Sequence, residues 1–368
     1  APRAALRAPL RLVGGAYPSL ALRLPDAATA KQRARGELGV TFDLVLDTAS
    51  SVNTLSAQVA SELGLEVVGE QPAGVSAAGA LPSAPIYLLG DVQLGDVPKE
   101  ERQGTFMTGL QAASLPVATP ASAGVLGAPF FACFEGVEMD FGDAATAIGV
   151  QQAASNTNST AANANVSATA AALVDAPPRP AAVTFYAPGA ELPEDAVAGT
   201  RRVALQPLPE SALPTVELAV GGGGPTVTAL LDTGSPVTIL NQRAAEVLGI
   251  SVSSGGEQAG GGNFLSRAAA RMRADPADTL YIAGANGQPV TLRRSVEEAT
   301  LELMAADSDA DGTVRLGSTK VYVGEIPGLA ALGDLDKADG AAILGMDALR
   351  QCGRLIYCAR TNELLVPC

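Results

Sequence analysis

Two aspartates in matching motifs are the residues of this sequence whose type and spacing could carry chemistry. Asp47 begins the segment DTAS and Asp232 begins the segment DTGS, and each segment directly follows an apolar run. Two carboxyl groups within hydrogen-bond reach can share one proton, so that one activates a water molecule and the other protonates the product. Their mutual repulsion also makes them titrate as a coupled pair. The two motifs therefore predict a hydrolytic site, if the fold brings both aspartates together.

The rest of the composition leaves acid–base chemistry to carboxylates. The chain contains no histidine, which excludes Ser-His and Cys-His nucleophiles, imidazole bases and His-liganded zinc. The acidic segment DSDADG at 307–312 begins like a calcium-binding loop, but Ser318 stands at the twelfth position, where such loops have glutamate. We interpret this segment as a solvated turn, and we predict neither a metal nor a cofactor.

Length, charge and hydropathy limit the class of protein. The 368 residues exceed the usual size of a single core, which favours two lobes. The formal net charge of −14 argues against a nucleic-acid partner, because such binding rests on Lys and Arg neutralising phosphates. No apolar run approaches the ~20 residues that span a bilayer, so we predict a soluble or peripheral protein. The sequence begins at Ala1 rather than Met, and we expect that an N-terminal targeting segment has been removed, on a secretory route or on entry into an organelle lumen.

An internal repeat determines which elements position the two aspartates. Segments 46–65 and 231–250 align without a gap, and nine of the twenty positions are identical. Upstream, 17–24 aligns with 213–220, and these apolar segments read as strands of a hairpin. Downstream of each aspartate, the sequence is typical of a short helix ending near a glycine. Each half is therefore predicted as strand, turn, strand, Asp-bearing loop and helix, followed later by an apolar strand that ends in VLG or ILG.

The repeat also divides the chain. The segment between VEMDFG and AAVTFYA is rich in Ala, Asn, Ser and Thr, and we interpret it as a loop inserted into a hairpin. The predicted units are an N-terminal extension at 1–11, an N-terminal lobe at 12–189 with the low-complexity insertion at 144–180, a linker at 190–202, and a C-terminal lobe at 203–368.

The paired DTAS and DTGS motifs, together with the later VLG and ILG motifs, resemble the pepsin and retropepsin superfamily of aspartic proteases. The flanking segments, including LGMDAL, are more similar to the retropepsin-like branch. The resemblance covers nearly the whole chain apart from the insertions. It implies a mostly β, bilobal acid-protease-like fold, in which two homologous β-barrel-like lobes carry short helices and each lobe supplies one aspartate to a central cleft.

The resemblance also implies roles for the residues around Asp47 and Asp232. Thr48 and Thr233 are expected to bond across to the opposite loop and to lock the lobes together. Ser50 and Ser235 are expected to hydrogen-bond the outer carboxylate oxygens. Gly234 is expected to let the backbone pass close to the aspartates and donate its N–H.

The sequence departs from the family pattern at two places. Ala49 stands where the first loop of the family has glycine, so a methyl group must fit against the second loop. The segments that could close over a substrate, 75–85 and 283–289, have no aromatic residue at the tip. Tyr87 and Tyr281 flank these segments, and we interpret them as strand residues packed in the lobes.

Two functions remain open at this point. The resemblance implies an aspartic endopeptidase, in which Asp47 and Asp232 activate water to hydrolyse a polypeptide lying extended between the lobes. The alternative is a catalytically inactive protease-like scaffold that binds another protein in an assembly, and Ala49, the missing tip aromatic and the insertions favour that alternative. At each single loop, the aspartate could also serve only to cap the backbone of a turn.

The four cysteines could form disulfides or remain free, and the composition does not decide between these readings. Three of them, Cys352, Cys358 and Cys368, lie close together near the end of the sequence. Since a hairpin could bring Cys368 back beside the other two, we predict a disulfide between Cys368 and either Cys358 or Cys352.

Overall fold

A computed structural model of the chain describes residues 5–367, apart from 77–78, 98–103, 116–121, 144–178, 210, 253–277, 284–288, 307–311, 327–328 and 330–339. Its strands form one sheet in each half and a further sheet made from both halves. In the described part of the chain, no helix is long and apolar enough to cross a membrane.

The first lobe is built on a sheet with the strand order β2-β3-β4-β11-β5-β10-β9-β6, beside a small hairpin β7-β8. Its strands are β2 Arg11–Val13, β3 Tyr17–Leu24, β4 Val40–Leu46, β5 Thr54–Leu55, β6 Glu66–Gln71, β7 Gly74–Ser76, β8 Gly79–Leu81, β9 Ala84–Leu94, β10 Met107–Ala113 and β11 Gly124–Leu126. Its helices are α1 Ala30–Arg33, α2 Ala57–Leu63 and α3 Ala128–Phe131.

The second lobe repeats this plan in a sheet ordered β19-β20-β23-β18-β24-β17-β16-β21-β22, with β15 paired to β16. Its strands are β15 Gln206–Pro207, β16 Pro214–Val220, β17 Thr226–Leu231, β18 Ile239–Leu240, β19 Thr279–Ala283, β20 Pro289–Arg294, β21 Ala299–Met304, β22 Thr313–Thr319, β23 Tyr322–Val323 and β24 Ala341–Leu344. After α4 Glu194–Val197, which precedes this lobe, come α5 Gln242–Val247 and α6 Met346–Leu349.

The third sheet joins the two halves in the order β1-β13-β12-β25-β26-β14. Its strands are β1 Ala5–Pro9, β12 Gly136–Asp140, β13 Ala182–Tyr186, β14 Thr200–Ala204, β25 Arg354–Cys358 and β26 Glu363–Pro367. The antiparallel pairing of β12 with β13, from Gly136 opposite Tyr186 to Asp140 opposite Ala182, confirms the predicted hairpin.

The duplicated sequence folds into duplicated topology. In the first lobe, β4 pairs antiparallel with β3 and parallel with β11, which sets Leu46 beside Leu126. In the second lobe, β17 pairs antiparallel with β16 and parallel with β24, which sets Leu231 beside Leu344. All four leucines are nearly inaccessible to solvent. The mostly β, bilobal fold class is thereby confirmed, and the same apolar strand ends lead into both Asp loops.

The short helices after the Asp loops begin and end where the sequence predicts. The hydroxyl of Ser56 accepts a hydrogen bond from the N–H of Val59 at the start of α2, and Gly64 ends this helix with φ of 66°. Asn241 accepts from the N–H of Ala244 at the start of α5 in the same way. Both caps satisfy backbone donors that an uncapped helix would leave unpaired.

The predicted boundaries of the lobes stay a prediction. Residues 5–9 of the predicted N-terminal extension form β1, which pairs with β13, and the predicted linker at 190–202 contains α4 and the first residues of β14. The insertion was predicted at 144–180. Residues 144–178 of it lie outside the described residues, and only its last two positions are described. The calcium-like segment lies outside the described residues too, except for Gly312.

The predicted disulfide is wrong for both cysteines that could have joined Cys368. Cys352 and Cys358 are free thiols, as is the exposed Cys133, and Cys368 lies outside the described residues. The register of β25 with β26 sets Cys358 opposite Glu363, so it lies at the turn of this hairpin, away from the end of β26 at Pro367.

Candidate active site

Both aspartates follow directly after a buried strand. The N–H of Asp47 donates to the carbonyl of Leu126 at 3.0 Å, and the N–H of Asp232 donates to the carbonyl of Leu344 at 3.0 Å. Each aspartate therefore continues the parallel ladder of its lobe by one residue. The two Asp loops therefore begin at equivalent points of the two lobes.

Thr48 and Thr233 connect the two Asp loops by reciprocal hydrogen bonds. The hydroxyl of Thr48 donates to the carbonyl of Leu231 at 2.6 Å and accepts from the N–H of Thr233 at 3.2 Å. The hydroxyl of Thr233 donates to the carbonyl of Leu46 at 2.7 Å and accepts from the N–H of Thr48 at 3.1 Å. Both threonines are buried. Because each bond crosses from one lobe to the other, the separation of the aspartates is fixed by the backbone beside them.

The carboxyl groups of Asp47 and Asp232 influence each other's protonation. The N–H of Ala49 donates to Oδ1 of Asp47 at 2.8 Å, and the backbone of Gly234 passes close to the same carboxyl group. A Cβ atom at Gly234 would lie 2.4 Å from Cγ of Asp47, which no side chain could tolerate. Glycine is therefore required at this position by the close approach of the second loop to the first aspartate.

The methyl group of Ala49, which stands where the family has glycine, lies against the second lobe. It packs against an apolar cluster of the second lobe that includes Leu230, Ile239 and Ile343. The methyl group is thus directed into the partner lobe, and the N–H of Ala49 remains bonded to the carboxylate of Asp47.

The hydroxyl groups of Ser50 and Ser235 are directed away from the carboxylates. Ser50 donates to the carbonyl of Val52 at 2.7 Å, and Ser235 donates to the carbonyl of Val237 at 2.8 Å. The predicted hydrogen bonds from these hydroxyls to the outer carboxylate oxygens are therefore wrong. The reason is local, since a hydroxyl carries a single proton and here that proton closes the tight turn of its own loop.

Burial dominates the electrostatics of the pair. It raises the pKa of Asp47 above its ordinary value, while hydrogen bonds from Ala49, Asp232 and Gly234 act in the opposite direction. Burial, followed by the negative charge of Asp47, raises the pKa of Asp232 well above its ordinary value, although hydrogen bonds from the backbone of Gly234 and Ser235 lower it. Both residues keep some exposed surface, but Oδ1 of Asp232 is enclosed and accepts no hydrogen bond from the described N–H and O–H donors. The arrangement favours a proton on Asp232 and a charge on Asp47.

Two supporting residues were missed by the sequence reasoning. Asn53 accepts from the N–H of Gly127 at 2.9 Å and donates to the carbonyl of Gln111 at 3.1 Å. In the second lobe, Thr238 accepts from the N–H of Gly345 at 3.2 Å. The internal repeat aligns Asn53 with Thr238. A polar residue at the same position of both halves is the sequence signal that could have identified them.

The tyrosines that flank the two segments predicted to close over a substrate differ in their burial. Tyr87 lies in β9 and packs against the core of the first lobe, as predicted. Tyr281 lies in β19, but its side chain is 68% exposed, so the prediction of a packed residue is wrong there. The hairpin tips at 77–78 and 284–288 lie outside the described residues. Over the described ranges, no three His, Cys, Asp or Glu side chains are grouped to hold a metal ion.

Comparison with known proteins supports the family resemblance. A family model described as aspartyl protease matches residues 35–130, a range that contains both Asp47 and the first glycine motif. Among solved structures, the crystal structure of basic 7S globulin from soybean matches with a TM-score of 0.46 and 9% sequence identity, over 99% of this chain and 94% of that chain. No curated protein matches in sequence. Residues 35–130 thus resemble the aspartyl protease family.

Proposed function

We propose that this aspartic-protease-like chain is an endopeptidase, with Asp47 and Asp232 as the catalytic residues and an extended polypeptide as substrate. The observation that carries the proposal is that two partly buried carboxyl groups from equivalent loops influence each other's protonation, while the hydrogen bonds of Thr48 and Thr233 hold the loops together. In a chain without histidine, this pair has the acid and the base that hydrolysis of an amide requires.

The different environments of the two aspartates suggest their roles. The carboxylate of Asp47, which accepts from the N–H of Ala49, takes a proton from water as the hydroxide adds to the carbonyl carbon. Asp232 holds a proton because burial and the charge of Asp47 raise its pKa, and it gives this proton to the carbonyl oxygen. When the C–N bond breaks, Asp47 returns its proton to the leaving nitrogen, and the tetrahedral hydroxyl returns a proton to Asp232.

The direct test is hydrolysis of a reduced, unfolded polypeptide between pH 3 and 7. We expect cleavage by the wild type, inhibition by a peptide in which a hydroxyl-bearing carbon replaces the scissile carbonyl, and no turnover by Asp47→Asn or Asp232→Asn, because Asn cannot act as an acid or a base. Asp43→Asn is the matched control, since Asp43 lies in the same strand β4 but is paired with Arg11. This control should keep its activity.

Two results would contradict the proposal. Retained hydrolysis in Asp232→Asn would reject the paired-carboxylate mechanism. A wild type that binds the polypeptide without cleaving it at any pH would instead support the catalytically inactive scaffold, which holds another protein in the same cleft.

A further inference from the structure

Tyr17 stands beside the catalytic pair at the start of β3. The antiparallel register of β3 with β4 sets Ser19 opposite Val45, and its continuation by two residues brings Tyr17 opposite Asp47. The equivalent register in the second lobe sets Thr215 opposite Leu230. Its continuation brings Leu213 opposite Asp232, and the internal repeat aligns Leu213 with Tyr17.

The two equivalent positions have different surroundings. Leu213 is 3% exposed and belongs to the apolar cluster of the second lobe. Tyr17 is half-buried, and a Cβ atom added at Gly14 in the preceding turn would touch its ring at 3.6 Å. This turn is held from the second lobe, because the guanidinium of the buried Arg350 donates to the carbonyl of Gly15 at 3.4 Å. The backbone that leads into Tyr17 is therefore tied to the second lobe.

The phenol of Tyr17 lies within electrostatic range of Asp232. Burial, followed by the negative charge of Asp232, raises the pKa of Tyr17 above its ordinary value. The phenol consequently keeps its proton throughout the acidic and neutral range. The phenol is thus a neutral donor close to Asp232.

We infer that Tyr17 contacts the substrate, and that its hydroxyl donates a hydrogen bond to a backbone carbonyl of the polypeptide next to the cleaved bond, on the side of Asp232. The inference rests on the proposed function and adds a residue that determines how the substrate lies. The aspartates and threonines are nearly symmetric, whereas a polypeptide has a direction. With a donor at Tyr17 and only an apolar side chain at Leu213, the site distinguishes the two orientations of the chain.

Kinetics of single substitutions test this role. Tyr17→Phe removes only the hydroxyl, and we expect kcat/KM for the unfolded polypeptide to fall about three- to tenfold, as for the loss of one neutral hydrogen bond. Tyr17→Leu copies the residue of the second lobe and should lose at least as much. Tyr87→Phe is the control, since Tyr87 packs on the core from β9. Equal kcat/KM in Tyr17→Phe and wild type would overturn the inference and leave the proposed function intact.

A readout without turnover separates this inference from the proposed function. The phenol of Tyr17 can be titrated by NMR of the ring carbons and assigned by its loss in Tyr17→Phe. In Asp232→Asn its pKa should fall, because a negative charge is removed, and an unchanged pKa would reject the proximity on which the inference rests. If the wild type binds the labelled polypeptide without cleaving it, Tyr17→Phe should raise Kd by the same factor. An unchanged Kd, or no binding at all, would reject the substrate contact.

Discussion

Gly234 and Ala49 occupy equivalent positions in the two Asp loops, but only one of them tolerates a methyl group. The position of a Cβ at Gly234 is filled by the carboxylate of Asp47, whereas the methyl group of Ala49 lies in the apolar cluster of the second lobe. The two loops are therefore equivalent in their hydrogen bonds and different in how they pack.

We predict opposite outcomes from exchanging these two residues. Gly234→Ala should abolish hydrolysis, because the added carbon displaces Asp47. Ala49→Gly should give no gain in activity and should lower the free energy of unfolding by about 0.5–1.5 kcal/mol, through the lost methyl contact and the added freedom of glycine. Rates on the unfolded polypeptide and urea titrations check both variants. A large increase in activity of Ala49→Gly would show that the methyl group does crowd the pair.

The raised pKa of Asp232 predicts how stability depends on pH. Because burial and the charge of Asp47 raise this pKa, the folded chain holds a proton that the unfolded chain has already released. The contribution is fully present below the pKa of the unfolded chain and is lost as pH rises through the folded pKa. Asp232→Asn cannot titrate, so its free energy of unfolding should exceed that of the wild type by on the order of 1 kcal/mol at pH 7. The difference should shrink towards pH 3.

Urea titrations at pH 3, 5 and 7, followed by circular dichroism, provide the measurement. The comparison cancels the carboxylates other than Asp47, whose titration is linked to that of Asp232. A difference between the two proteins that stays constant with pH would show that Asp232 has an ordinary pKa.

Strands β11 and β24 each end just before a glycine, and different side chains at equivalent positions of the two lobes bind these glycines. Asn53 and Thr238 each accept a hydrogen bond from the glycine that follows these strands, and Thr238 also donates to the buried carboxylate of Asp347 at 2.7 Å. A Cβ atom at Gly127 would lie 2.5 Å from the carbonyl oxygen of Ser50, so this strand end packs directly beneath the Asp loop.

We predict that Asn53→Ala weakens the first lobe. The substitution leaves the N–H of Gly127 and the carbonyl of Gln111 without their partner, which should lower the free energy of unfolding by about 2–4 kcal/mol. Asn53→Thr copies the second lobe and should restore part of this loss. Thermal unfolding of the two variants distinguishes a specific hydrogen bond from general packing, and equal stability of Asn53→Ala and wild type would contradict the assigned role.

The internal repeat was sufficient to predict the strand–loop–helix units and the meeting of Asp47 with Asp232, because short identical segments form the same local structure in both halves. It could not predict where the hydroxyls of Ser50 and Ser235 point, or where the methyl group of Ala49 lies. Those outcomes depend on side chains that are remote in sequence. Cys358 was wrongly predicted as a partner of Cys368 because the register of the hairpin, which sets Cys358 opposite Glu363, decides which residues meet, and not the spacing of the cysteines.

At the scale of the whole molecule, the described residues that flank segment 144–178 are bonded to each other. The N–H of Arg179 donates to the carboxylate of Asp143 at 2.6 Å, and the guanidinium of Arg179 pairs with Asp140 at 2.7 Å. We predict that replacing 144–178 by a short Gly-Ser linker changes the melting temperature by less than about 2 °C. Arg179→Ala in the shortened chain should lower it further. A collapse of the fold on shortening would show that the insertion supports the first lobe.

The sheet shared by the two halves has a consequence for synthesis on the ribosome. Strand β12 pairs with β25, and its Glu138 meets Arg354, 216 residues further along the chain. At the usual rates of translation, the edge of β12 is made about 10–40 s before the strand that covers it. During this interval it can pair with other nascent chains. The sheet that joins the two halves is thus completed only after the last strands emerge, and early release of the chain would leave that edge unpaired.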